Sequence, residues 1–233
     1  MATYPTLQQH LISYLESDPH DASKTVEAVE AVGARCIAVA CDVGKSEDVE
    51  KLAQTAIEEF GRLDIVAALA GILRKASLHE MTDSRFEEMM NIDLLGVLRV
   101  FRSCAARMTD GGSMVATSSI AGGHYGWDHH SHYAAAKAGL LGLCRSLAVE
   151  LAPREIRVNT IIPGLIESPQ SLDAENSLGK AGLKAAGSYI PLGRVGRLEE
   201  CARAIRFLTS DDASFITGQQ LIVDGGQTVR WPS

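Results

Sequence analysis

Apolar runs that do not alternate constrain this chain more than any other feature. From Ile65 to Ala70 every residue is apolar, and a strand of that kind is stable only where both of its faces are covered, as in a parallel sheet. Shorter strand-like runs recur at 113–117, at 156–162 ahead of Pro163-Gly164, and within Gly218-Gln219-Gln220-Leu221-Ile222-Val223-Asp224-Gly225-Gly226, each closed by turn residues. Helical stretches separate them. Ser46-Glu47-Asp48 opens a helix whose apolar positions Val49, Leu52, Ala53, Ala56, Ile57 and Phe60 follow the 3.6 period, and Gly61 ends it. Asp83 starts another that runs through Phe86, Met90, Leu94, Leu98 and Phe101 to about Met108. A third follows Tyr133 to about Leu151, where Pro153 stops it, and a last one covers 198–208. This alternation, without repeats or an internal linker, predicts a single α/β domain over residues 1–233, built on a doubly wound parallel sheet with ligands at its carboxyl edge.

Composition narrows the function. Hydrophobic residues make up 46% and charged residues 22% of the 233 residues, close to the globular norm. A net charge of -7 leaves no basic patch for nucleic acid or an anionic membrane surface. The longest apolar stretches, such as 65–73, are too short to span a bilayer. The first ten residues lack the cationic start and apolar middle of a signal peptide, so a cytoplasmic protein is expected. Cys36, Cys41, Cys104, Cys144 and Cys201 are odd in number and show no CxxC spacing, which reads as reduced core thiols.

Chemistry enters with Tyr133 and Lys137. Four residues are one helical turn, so phenol and ammonium share a face. An ammonium beside a phenol favours the phenolate, which lets a tyrosine act as a general acid or base near neutral pH. Alone, the pair fits equally a core-edge tyrosine beside a solvated lysine. Ser118-Ser119, however, end the 113–117 run with Ser119 14 residues before Tyr133, and Asn91 lies in the helix that Asp83 opens. In this order and at these spacings the chain resembles the short-chain dehydrogenase/reductase family, whose tetrad is Asn, Ser, Tyr and Lys, over about residues 16–228.

The resemblance implies a Rossmann-like enzyme that interconverts a carbonyl and a secondary alcohol with NAD or NADP. It implies that Tyr133 transfers the proton, Lys137 lowers the phenol pKa and holds the nicotinamide ribose, Ser119 bonds the substrate oxygen, and Asn91 anchors a water. Ser118 is the alternative to Ser119, because the interval to Tyr133 is one residue longer than the family's. On the cofactor side it points to Asp42 and Val43 for the adenine, Ala70 and Gly71 for close backbone approach, and Ile166 to Ser168 for the carboxamide. Asp42 as a simple helix-preceding residue stays open. Glu16 falls where an acidic ribose ligand would favour NAD, and reads equally as a solvated charge. The stretch 168–190 would be the substrate lid, and the helices after Asn91 and Tyr133 would join a homodimer or homotetramer. His124, His129, His130 and His132 have no acidic or thiolate partner at ligand spacing, so they read as solvated or pocket-lining rather than metal-binding, with Tyr125 and Trp127 against the substrate. A redox-silent isomerase, cyclase or dehydratase using the same Tyr133, Lys137 and Ser119, or a non-catalytic subunit, are the competing readings.

The chain departs from the family at its start. The family opens with a strand, a TGxxxGxG turn and a helix whose N-terminus holds the pyrophosphate, whereas the first glycine here is Gly33. Residues 11–15 resemble the family's second strand and 21–32 the helix after it. The missing turn would give about three backbone N–H bonds to a charged group at roughly 1.5–3 kcal/mol each. Their loss weakens cofactor binding by on the order of three to six powers of ten. Either the working enzyme is longer than this reading frame, or 11–15 moves beside 63–70 to fill the place of the first strand. On the second arrangement the 233-residue chain binds NAD and NADP in the millimolar range or not at all, which calorimetric titration with both cofactors checks; micromolar binding would mean that the phosphate site lies elsewhere.

Overall fold

The structure, a computed structural model, describes residues 9–18 and 21–230. Residues 1–8, most of the stretch read for a signal peptide, lie outside the described residues. Four strands form the main sheet: β3 (Ile65–Ala68), β4 (Ser113–Thr117), β5 (Arg157–Pro163) and β8 (Gln220–Val223). They are parallel throughout and lie in the order β3-β4-β5-β8, with Ile65 opposite Ser113, Met114 opposite Val158 and Thr160 opposite Gln220. The expected α/β architecture is therefore present, and the continuous apolar runs have their physical cause in two-sided cover.

Each face is covered by different helices. Met114, Ala116 and Val158 pack with Phe101 of α4 (Leu95–Ala105) and Leu140 and Cys144 of α6 (Ser131–Leu151). Val115 and Ile161 point the other way, onto Leu208 of α9 (Leu198–Thr209). Met114, Val115 and Ala116 are wholly removed from water, so β4 is the axis of the core. Helix α2 (Ser46–Phe60) ends as expected at Gly61, whose φ of 73° is the left-handed conformation that a residue with a Cβ resists.

Residues 11–15, which the second arrangement puts beside β3, are elsewhere. β1 (Gln9–Tyr14) pairs in parallel with β2 (Arg35–Ala40), Gln9 opposite Arg35 and Tyr14 opposite Ala40, through α1 (Ala22–Glu30). A strand, a short crossover helix and the next parallel strand pair most readily with each other, and here that local preference decides the partner. Among the described residues, one edge of β3 is left without a strand, Ala67 in its middle is exposed, and Leu69 just beyond is 56% exposed. Helix α1, although amphipathic in sequence, buries none of its residues.

A second correction concerns the long helix after Asp83. It is two helices, α3 (Asp83–Asp93) and α4, divided at Leu94, whose φ of -116° departs from the helical value. Leu94 packs so closely on Gly139 of α6 that a Cβ on that glycine would lie 2.9 Å from it. The buried stripe is Met89, Asp93, Gly96, Val97 and Phe101: of the expected Phe86, Met90, Leu94, Leu98 and Phe101 the last is buried, while Met90, Leu94 and Leu98 fall one position out of phase.

Asn159, fully buried on β5, donates to the Ile216 carbonyl at 2.8 Å and accepts from Gln219 N–H at 3.0 Å, which fastens the approach to β8. Asn159→Ala orphans both backbone groups and is expected to cost roughly 2–4 kcal/mol in a urea unfolding experiment. An effect below about 0.5 kcal/mol would remove this fastening role.

Candidate active site

Helix α6 brings its first turns to the carboxyl edge of the sheet. Tyr133 and Lys137 lie one turn apart on its buried side, with the Lys137 ammonium 5.6 Å from the Tyr133 ring centre. The lysine is nearly closed off from water and its Nζ donates to the Thr117 carbonyl at 3.2 Å, at the end of β4. Its other partner is Asp93, fully buried, with Oδ2 3.1 Å from Nζ. Burial pushes the ammonium towards neutrality, but the Asp93 carboxylate, aided by the Tyr133 phenol, outweighs it and holds Lys137 above the ordinary lysine value.

Close backbone approach makes room for this arrangement. A Cβ on Gly122, in the short helix α5 (Ile120–Gly123), would lie 2.7 Å from Lys137 Cβ and from the Ala138 backbone nitrogen. A Cβ on Gly71 would lie 3.0 Å from Asp93 Oδ2 and 3.2 Å from Lys137 Nζ. Neither position has space for a larger residue without moving the pair.

The two serines divide their work. The Ser118 hydroxyl is buried and donates to the Lys137 carbonyl at 2.7 Å, so its hydrogen is used within the fold. Ser119 caps α5 by accepting from Ala121 N–H at 3.2 Å, which leaves its own hydrogen free to donate into the cavity it lines with Tyr133. That cavity is about 860 Å³ and is lined by Tyr133 and Lys137, by Trp127 and Tyr125, and by Leu198 and Ile205 of α9. The expected Gly71, Ile166 and Ser168 line it as well. Ser168 caps α7 (Pro169–Leu172), its oxygen accepting from Ser171 N–H at 3.2 Å.

Other expected residues are placed differently. Asn91 is turned away from the pair: its Oδ1 accepts from Arg99 at 2.7 Å and its Nδ2 reaches the Gly44 carbonyl at 3.5 Å. Two helical positions separate it from Asp93, about 200° of rotation, so only one of the two can face α6. The residue beside Lys137 is Asp93. The sequence carried a signal for it, a carboxylate four residues after Met89 and four before Val97 on the apolar stripe. Asp42 is half-buried and turned on its own loop, Oδ1 accepting from Gly44 N–H at 2.8 Å, and Val43 is a core residue against Gly96. Glu16 and Ala70 are exposed, and neither these nor Asp42 and Val43 border the Tyr133 cavity.

The histidines also differ from expectation. His124 and His129 are exposed, but His130 and His132 are core residues. His130 stacks on Trp127 with ring centres 3.9 Å apart and bonds the Asp128 and Asn176 carbonyls, and Trp127 in turn meets Tyr133 edge-on. Among the described residues, no cluster of three metal-ligating side chains exists. Burial, and then His130, push His132 below the ordinary histidine value. All five cysteines are free, and burial pushes Cys104 up to about 12 and Cys41 to about 11, so neither is a thiolate near neutral pH. No helix among the described residues is long and apolar enough to cross a membrane.

Comparison with known proteins gives this geometry a context. Residues 9–228 match the family model described as enoyl-(acyl carrier protein) reductase, a branch of the short-chain dehydrogenases. The chain is 37% identical over 190 residues to a 3-oxoacyl-(acyl-carrier-protein) reductase of Thermotoga maritima, covering 81% of this chain and 75% of that protein. It is 40% identical over 215 residues to a cis-4-hydroxycyclohexanecarboxylate dehydrogenase of Sinomonas cyclohexanicum, covering 89% of this chain and 82% of that one. A blue fluorescent protein from a metagenomic library, solved in complex with NADPH, superposes with a TM-score of 0.85 at 28% identity, covering 93% of this chain and 86% of that one.

The tight approach of α5 to α6 makes a direct prediction. Gly122→Ala forces its Cβ against the backbone of Lys137 and Ala138 and should reduce turnover at least about tenfold, together with a loss of roughly 1–3 kcal/mol in stability. Unchanged activity and stability would show that α6 is free to shift.

Proposed function

The chain belongs to the short-chain dehydrogenase/reductase family and is an NAD(P)-dependent oxidoreductase, and from that premise we propose that Tyr133 gives or takes the proton while a carbonyl and a secondary alcohol interconvert in the cavity above it. The observation that carries the reading is the Tyr133 ring, lining the cavity with a charged, paired lysine beside it and the free Ser119 hydrogen nearby. Lys137, Gly71, Ile166 and Ser168 border the same cavity, and their ammonium, bare backbone and hydroxyl fit the nicotinamide end of a dinucleotide. A nicotinamide bound there supplies or accepts the hydride.

The protein's own part is positioning and protonation. Ser119 donates to the substrate oxygen and fixes it near the Tyr133 hydroxyl. In reduction, Tyr133 Oη passes its proton to that oxygen as negative charge develops there, and Lys137 stabilises the phenolate left behind; in oxidation the same groups act in reverse. The apolar side chains of Trp127, Leu198 and Ile205 on the cavity lining suit an apolar substrate body. Residues 168–190, folded as α7 and α8 (Gly179–Ala186), cover the substrate end. They are tied down by Asn176, which accepts from Lys75 N–H at 3.1 Å and offers its carbonyl to His130. Association into a homodimer or homotetramer through α4 and α6 is consistent with Leu95 and Val149, which are exposed on those helices.

Absorbance at the reduced-nicotinamide band, followed with millimolar cofactor and a panel of alicyclic and acyl ketones, tests the reading. Tyr133→Phe should lower turnover by about 100-fold or more while leaving the melting temperature nearly unchanged, since it removes one hydroxyl from a ring that packs as before. Near-normal turnover in that variant would remove Tyr133 from the chemistry.

A further inference from the structure

We propose that Asp93 is a positioning residue for proton transfer, whose buried carboxylate keeps Lys137 charged and fixed at the foot of the Tyr133 ring. The inference rests on the reading of Tyr133 as the proton-transfer group, but its central measurement does not require turnover. Three observations carry it. Asp93 is wholly buried on α3 and meets Lys137 Nζ at 3.1 Å. Its second oxygen accepts from Ile72 N–H at 2.8 Å, so the carboxylate is aimed by the loop after β3. Gly71, beside that bond, leaves the space the pair occupies, since a Cβ there would crowd both Asp93 and Lys137.

A buried ammonium without a counter-charge sheds its proton, and a neutral amine cannot stabilise a phenolate. Thr117 offers a carbonyl, which orients the ammonium but brings no net charge. The charged and titratable groups that act on Lys137 are Asp93 from α3 and Tyr133 from its own helix. The loop after β3 presents Gly71, and the end of β4 presents Thr117 and Ser118, all uncharged. His132 on α6 is acted on first by His130 and then by Asp93, Glu88 and Arg85 of α3. Asp93 is thus the anion that determines whether Lys137 is an ammonium or an amine in the working pH range.

Lysine-selective NMR of the full chain reads this directly. In the wild-type protein the Lys137 ε-group should titrate above the ordinary value of 10.5, and titration at or below it overturns the proposal without any variant. In Asp93→Asn, which preserves the shape and the acceptor for Ile72 N–H, the midpoint should fall by about one pH unit or more, a tenfold change in the protonation equilibrium. Asp93→Glu should retain a titration close to wild type. In parallel, the alkaline limb of the turnover profile should move down with the lysine in Asp93→Asn. An unmoved lysine titration, or an unmoved alkaline limb in an active Asp93→Asn variant, would reduce Asp93 to a structural residue. A shifted lysine in a chain with no redox activity would instead count against the oxidoreductase chemistry while leaving the pairing intact.

Discussion

Removing an ammonium from water costs several kcal/mol unless a charge and a set of hydrogen-bond acceptors replace the solvent, and Lys137 meets that demand from two different parts of the chain. Asp93 comes from α3, the Thr117 carbonyl from the end of β4, and the backbone of Lys137 itself is held by Ser118. Because the same carboxylate also binds Ile72 N–H, the loop after β3 is drawn into the cluster. Helix, strand end and loop are registered against one another by a single buried charge. The small residues around it follow from the same constraint, since Gly71 and Gly122 stand where any Cβ would press on the pair or on the Lys137 backbone.

The main sheet supports this cluster, while β1 and β2 form a separate parallel pair. Tyr133 and Lys137 therefore ride on α6 and Ser119 follows β4, whereas Glu16 and Asp42, the candidates for the far end of the cofactor, follow the strands of the smaller pair. Arg99 joins the two regions: it donates to the Val43 carbonyl at 3.1 Å beyond β2 and to both the carbonyl and the side chain of Asn91 on α3. Asn91 is thus part of a strap that relates the cofactor side to the proton-transfer side. A change there acts on how the two halves sit together rather than on the reacting atoms.

Much of this architecture was legible in the sequence because its signals are local. Non-alternating apolar runs marked β3, β4 and β5, Gly61 marked a helix end, and the four-residue spacing of Tyr133 and Lys137 put both on one face. What was not legible depends on tertiary contact. The phase of the stripe on α3 and α4 turns on which side meets the sheet, and Met89 and Met90 look alike in a hydropathy pattern although only Met89 is buried. Asn91 was chosen because it matches the family's tetrad by residue type, whereas Asp93 takes its meaning from a partner 44 residues further on. The partner of β1 was left open, since residues 11–15 could keep the place of the family's second strand or move beside 63–70, and either neighbour would satisfy the backbone of a short apolar strand.

The cavity has one rigid wall and one adaptable wall, and that asymmetry follows from burial. On one side, Tyr133 is packed against Leu73, Met89 and Ala136, Trp127 meets its edge, and His130 stacks on Trp127 with its ring nitrogens 2.7 and 3.0 Å from the Asp128 and Asn176 carbonyls. Movement of any one of these groups would break several contacts at once. On the other side, α7 is mostly exposed, α8 buries only Gly179, Leu183 and Ala186, and the segment between them is joined to the body by polar links such as Asn176 to Lys75. Links of that kind open at far lower free energy than a packed core. Geometry within a few tenths of an ångström is needed where the proton moves, and latitude is needed where substrates of different shape must enter. The buried pair of Asp93 and Lys137 lies on the rigid side of that division, which is why its charge state can be fixed by the fold independently of what occupies the cavity.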